Sequence, residues 1–144
     1  MLKMLSIFGY ALMAGGAVGF VVTRTIVSPL PAVIAVQVAA FALMVWARVT
    51  FKGRSFHLSA EPTEGGLVTT GPYRFIRHPI YTAVCLFVWA AFFGAPSRIT
   101  ALLALLVTAG SLVRIGCEER CLLREFPEYT AYARRTKRMV PFLF

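Results

Sequence analysis

The side chains able to do chemistry gather in a few short stretches of the later half of the sequence. One is Gly71-Pro72-Tyr73-Arg74-Phe75-Ile76-Arg77-His78-Pro79-Ile80-Tyr81. A second is Arg114-Ile115-Gly116-Cys117-Glu118-Glu119-Arg120, in which Arg114 and Glu118 stand four apart and so share a helical face. An arginine fork suits a carboxylate. Ionisable groups where an apolar helix meets the membrane surface face the protein interior and mark functional paths. Each stretch also has a structural reading. Arg, His and Tyr anchor membrane surfaces, and an Arg–Glu pair along one helix contributes a few tenths of a kcal/mol. A third stretch, Leu122 to Tyr132, spaces Leu122, Leu123, Phe126, Tyr129 and Tyr132 as on an amphipathic interfacial helix, with Pro127 as a break. Cys117 and Cys121 share a face without further ligands at metal spacing, and read as small buried hydrophobes. No metal site is expected.

What positions these stretches follows from composition. The 144 residues suffice for one domain. They are 58% hydrophobic and 15% charged, against about 25% charged in soluble domains, and the mean hydropathy is +0.73. A soluble globule of this size cannot hide so much apolar surface, so the chain is expected to be a single integral membrane domain, residues 1–144. Four largely uncharged stretches approach the roughly 20 residues a bilayer requires: about 4–23, 30–47, 79–97 and 99–117, the last uncharged to Val113 and continuing past Arg114. The first could pass for a signal peptide. Its apolar run is long and lacks a clear small-residue cleavage site, so it reads as a retained helix. Gly15 and Gly19 within it suggest a packing face.

The net charge is +9. Of the 15 Lys and Arg, all but Arg24 and Arg98 fall on one side of this arrangement, as do all six Glu. The positive-inside rule puts that side, with both termini, in the cytoplasm. The basic surplus beside apolar spans argues for membrane lipid and against nucleic acid. Gly94-Ala95-Pro96-Ser97-Arg98 turns spans three and four into a helical hairpin. The hairpin brings the His78 and Arg114 stretches together at the cytoplasmic interface. The expected fold is all-α, with four transmembrane helices and a cytoplasmic amphipathic C-terminal helix.

These pieces, in this order, resemble the isoprenylcysteine carboxyl methyltransferase family and, more loosely, the phospholipid methyltransferases. The matching text is Leu67-Val68-Thr69-Thr70-Gly71-Pro72-Tyr73, then Arg77-His78-Pro79-Ile80-Tyr81, then Glu118-Glu119 followed by Leu122, Phe126, Tyr129 and Tyr132. It lies within residues 65–141; the first two spans carry no such signature. Ala83 and Pro127 stand where the family favours Gly. The resemblance implies S-adenosylmethionine as cofactor, although no Gly-x-Gly-x-x-Gly follows a strand. It implies backbone contacts at Leu67 and Val68, with close approach at Gly65 and Gly66. Tyr73, His78, Pro79, Ile80 and Tyr81 would line the cofactor. Glu118 would bind its polar groups, and Arg114 would hold the methyl acceptor. These last two form the expected catalytic pair.

The implied reaction is methyl transfer to a lipophilic acceptor entering from the bilayer, with a carboxylate favoured, such as that of an isoprenylcysteine. In-line transfer depends chiefly on alignment. A second copy of the chain is a candidate partner for closing the cavity. The competing readings are an amine methyltransferase acting on phospholipid headgroups, an NADPH-dependent membrane reductase, and a non-enzymatic membrane subunit. A bacterial or archaeal inner membrane, or an endoplasmic reticulum membrane, suits the chain.

Overall fold

The computed structural model describes residues 1–51 and 66–140. Five α-helices occur among them: α1 (Leu2–Val22), α2 (Pro31–Thr50), α3 (Pro79–Gly94), α4 (Arg98–Glu125) and α5 (Tyr129–Arg135). A single 3-10 turn, Gly71–Arg74, precedes α3. No strand forms among the described residues; Ile76 and Lys137 make one isolated parallel bridge.

Local chemistry sets the helix ends. Pro31 and Pro79 occupy the first turns of α2 and α3, where a missing N–H costs nothing. Ser97 caps α4 reciprocally: its Oγ accepts from the Thr100 N–H at 3.1 Å, and Thr100 Oγ1 accepts from the Ser97 N–H at 2.9 Å. After α1, Arg24 takes a left-handed backbone with φ 56. Pro127 stops α4 from continuing into α5. The expected C-terminal amphipathic helix is therefore split: Leu122 and Leu123 belong to α4, and only Tyr129–Arg135 form a separate helix.

Helices α1, α2 and α4 are long and apolar enough to cross a membrane. The 16-residue α3 is equally apolar but shorter; at 1.5 Å per residue it reaches about 24 Å. The 28 residues of α4 reach about 42 Å, about two turns more than a core of about 30 Å requires. Large apolar side chains, among them Phe8, Val22, Phe41, Phe93, Leu102 and Leu105, cover the outside. A lipid environment explains that surface and water does not.

Neighbouring helices run antiparallel. The most extensive packing is α1 along α4 and α2 along α3, rather than α3 along α4. The seam between α1 and α4 is built from glycine. A Cβ at Gly9 would lie 2.9 Å from the Gly110 carbonyl oxygen, and one at Gly16 would lie 2.9 Å from that of Leu103. Gly19 presses on the Leu103 side chain. Gly15 faces open space. The close-packing face is thus Gly9, Gly16 and Gly19, and the expected pairing of Gly15 with Gly19 is half wrong. Beyond this seam Phe20, Val88, Ala91, Ala104 and Val107 form the buried core. The result places the start of α1, the end of α2, the start of α3 and the end of α4 at one end of the bundle.

Candidate active site

At that end, Tyr81 stands in the first turn of α3 and Arg114 on α4. Arg114 Nε donates to Tyr81 Oη at 2.8 Å. Tyr81 Oη donates in turn to Glu118 Oε1, and Arg114 Nη2 donates to the same oxygen at 3.2 Å. The Arg114 guanidinium also lies 5.6 Å from the Tyr10 ring centroid, a cation–π contact that brings α1 into the site. Arg114 is buried, its side chain 7% exposed, whereas that of Glu118 is 26% exposed. Three helices thus hold one short chain of polar groups, with a carboxylate at its accessible end.

His78 links this chain to a second. Its Nδ1 lies 3.8 Å from Glu118 Oε2 and its Nε2 lies 3.4 Å from Glu119 Oε1. Arg77 Nε donates to Glu119 Oε1 at 2.9 Å and Arg138 Nε to Glu119 Oε2 at 3.0 Å. Burial by itself pushes the Glu119 carboxyl up. The hydrogen bonds and charges of His78 and Arg77 outweigh burial and bring its pKa down to about 2. Burial likewise pushes the Tyr132 phenol up, to about 12, against the opposing charge of Arg77. Tyr132 Oη donates to the Tyr73 carbonyl at 2.7 Å.

A strap of residues 136–139 closes over this region. The N–H groups of Arg77 and His78 donate to the carbonyls of Lys137 and Arg138 at 2.7 and 2.9 Å. Thr82 Oγ1 donates to the Met139 carbonyl at 2.8 Å. Arg77 Nη1 donates to the Ala133 carbonyl at 3.0 Å and to that of Thr136.

Of the residues expected from sequence, the fold brings together His78, Tyr81, Arg114 and Glu118, with Pro79 buried at the start of α3 and Ile80 half-buried beside it. Tyr73 is buried in the 3-10 turn, its ring 5.5 Å from that of Phe51. Leu67 and Val68 are half-buried, and Gly66 is exposed with φ 82. Gly65 lies outside the described residues. Sequence reasoning passed over Tyr10, Arg77, Glu119 and Arg138 as site residues. Two of them carried a signal, Arg77 as the first residue of the Arg-His-Pro stretch and Glu119 as the second of two adjacent acids. Cys85 and Cys117 are buried and all three cysteines are free. Among the described residues no group of three or more His, Cys, Asp or Glu is placed to hold a metal ion.

The described residues thus form a bundle of apolar helices with a polar cluster where α3 meets α4. The phospholipid methyltransferase family matches residues 32–129, more than half of the chain, and the chain belongs to that family. The family lies within the superfamily of membrane methyltransferases that includes the isoprenylcysteine carboxyl methyltransferases. The match begins in α2, so family likeness reaches further towards the N-terminus than residues 65–141. The chain is 40% identical over 102 residues to the nickel-cobalt-cadmium resistance protein NccN of Alcaligenes xylosoxydans xylosoxydans, an alignment covering 69% of this chain and 43% of that protein. It is 41% identical over 80 residues to the cobalt-zinc-cadmium resistance protein CzcN of Cupriavidus metallidurans, covering 54% and 36%. The chain thus spans less than half the length of these two relatives. No solved structure matches it.

Proposed function

We propose that the chain transfers the methyl group of S-adenosylmethionine to a lipophilic acceptor at the cytoplasmic surface of a membrane. The observation that carries this reading is the Tyr81–Arg114–Glu118 cluster, held at the junction of α3 and α4 in a chain of a methyltransferase family. The donor set fits the cofactor. Glu118 offers a partly exposed carboxylate to its cationic groups, the rings of His78 and Tyr81 stand 5.9 Å apart beside it, and Gly66 leaves its Cβ position open. In this reading Gly65, Gly66, Leu67, Val68, Tyr73, His78, Pro79, Ile80, Tyr81 and Glu118 hold S-adenosylmethionine.

When bound, the cofactor supplies an electrophilic methyl group on a sulfonium. Transfer of that methyl group to the acceptor would leave the carbon–sulfur bonding pair on sulfur. The chain's own residues supply alignment, which is worth several kcal/mol of barrier. Arg114 shares Glu118 with Tyr81. Because Glu118 is the more exposed partner, it is the one able to turn outward, and Arg114 then presents donors to an acceptor carboxylate. We take the carboxylate as the favoured acceptor. A phospholipid amine is the second reading, favoured by the description of the family itself, and there Arg114 meets the headgroup phosphate. From the names of the two relatives we take a setting in metal resistance.

The same reading includes four spans, with α3 the shortest, and both termini in the cytoplasm. The concentration of Lys and Arg at the end carrying the cluster supports it, and a bilayer thins or a helix stands upright to accommodate a short span.

Membranes containing the chain, incubated with methyl-labelled S-adenosylmethionine, test the function. Label should enter the lipid-soluble fraction. Release of that label by mild base as volatile methanol identifies a methyl ester and so a carboxylate acceptor; label that stays non-volatile after base identifies an N-methylated amine. Labelling no greater than in membranes lacking the chain contradicts the proposal.

A further inference from the structure

Glu118 and Glu119 are adjacent and chemically identical, yet their surroundings assign them different work. Successive residues on a helix point about 100° apart. Glu118 lies towards Tyr81 and Arg114 with a quarter of its side chain exposed. Glu119 is 10% exposed, and both of its oxygens are engaged. Oε1 receives Arg77 and faces His78 Nε2, while Oε2 receives Arg138. Turning Glu119 towards a ligand would break its bonds to Arg77, His78 and Arg138, which come from two segments, the one before α3 and the 136–139 strap.

Those three residues link the surroundings of Glu118 to the rest of the cluster. His78 precedes α3 and presents Nδ1 to Glu118 while Nε2 faces Glu119. Arg77 reaches the carbonyls of Ala133 and Thr136 at the end of α5. Arg138 lies in the strap, whose backbone pairs with Arg77 and His78.

We propose that Glu119 is a positioning residue: its carboxylate fixes the His78 ring and ties the 136–139 strap to α4, and it does not itself meet the cofactor. The inference rests on the methyltransferase reading for its kinetic consequence, but its structural half is independent of it. Without Glu119, Glu118 remains available for binding while the ring and strap beside it lose their common anchor. Transfer should then suffer more than cofactor affinity.

The test uses the full chain in detergent with histidine labelled by nitrogen-15. His57 and His78 are the only histidines of the sequence, so the spectrum of His57→Gln assigns the His78 ring. In Glu119→Gln the His78 ring resonances should shift, kcat should fall about a hundredfold, and affinity for S-adenosylhomocysteine should stay near that of the wild type. Glu118→Gln should instead lose affinity. Glu119→Asp should recover part of kcat, since it keeps the charge at shorter reach. Arg138→Gln, at an exposed position, should lower kcat less than Glu119→Gln, and it serves if the latter does not fold. An unchanged His78 spectrum with full kcat overturns the proposal. So does loss of affinity in Glu119→Gln equal to that in Glu118→Gln. Should the wild type neither bind nor transfer, the methyltransferase reading fails by itself; the His78 resonances still decide whether Glu119 holds the ring.

Discussion

Tyr81 and Arg114, 33 positions apart, are joined by a hydrogen bond of 2.8 Å that fastens the first turn of α3 to α4. The same phenol donates to Glu118, so one hydroxyl serves as acceptor for a cation and donor to an anion. Tyr81→Phe removes both bonds while preserving the ring. We expect a loss of about 2 kcal/mol, the usual cost of unpairing buried polar groups, read as a lower midpoint of thermal unfolding in detergent. A variant as stable as the wild type would mean that the hydroxyl is not what fastens the helices.

Arg114 and Glu118 should separate in their kinetic effects. Arg114→Ala is expected to raise KM for the acceptor more than it weakens cofactor binding, because in the proposed function Arg114 holds the acceptor. Steady-state kinetics beside calorimetry distinguish the two. Selective loss of cofactor binding in Arg114→Ala would reverse the roles.

Glu119 predicts an acid limit. Its pKa is lowered from 4.5 to about 2 by its partners. A carboxyl with a depressed folded-state pKa stabilises the fold fully above its unfolded value and ceases to do so as the pH falls through the folded value. Wild-type stability should therefore decline from about pH 4.5 towards pH 2. Glu119→Gln should be less stable at neutral pH by about 3 kcal/mol, the scale for breaking a buried pair. It should also show a flatter acid profile. Unfolding midpoints measured across that range check both, and parallel profiles for the two proteins would contradict the assignment.

The glycine seam gives a contrast within one helix. Gly16→Ala sets a Cβ 2.9 Å from the Leu103 carbonyl oxygen and should cost about 1–3 kcal/mol through forced separation of α1 and α4. Gly15→Ala meets nothing and should be neutral, or stabilising by up to about 1 kcal/mol through helix propensity. Thermal unfolding of the two variants decides it; the opposite order would displace the seam.

Much of this arrangement is readable in the residues. Apolar runs bounded by Lys3, Arg48, His78 and Arg98 mark where helices lie, because the helical period and the bilayer's thickness constrain each run locally. The hairpin turn at Gly94–Arg98 predicts that His78 and Tyr81 meet Arg114 and Glu118, and they do. Pairings between elements distant in sequence are not encoded that way. Nothing in Gly9 or Tyr10 announces that α1 lies along α4. Gly15 and Gly19 have the familiar small-residue spacing, but helix rotation decides which glycines face a neighbour. The strap and its tie to Glu119 were illegible for a related reason. Several basic side chains of the tail have the same composition and charge, and only the bridge between Ile76 and Lys137 selects Arg138 as partner.

The central claim is that Glu118 belongs to a binding site for S-adenosylmethionine. Calorimetric titration of the detergent-purified chain with S-adenosylmethionine and with its demethylated product tests it most directly, with Glu118→Ala as the comparison. The account predicts saturable binding by the wild type and its loss in a Glu118→Ala protein that remains folded. Equal binding by the two proteins, or none by a folded wild type, would contradict it.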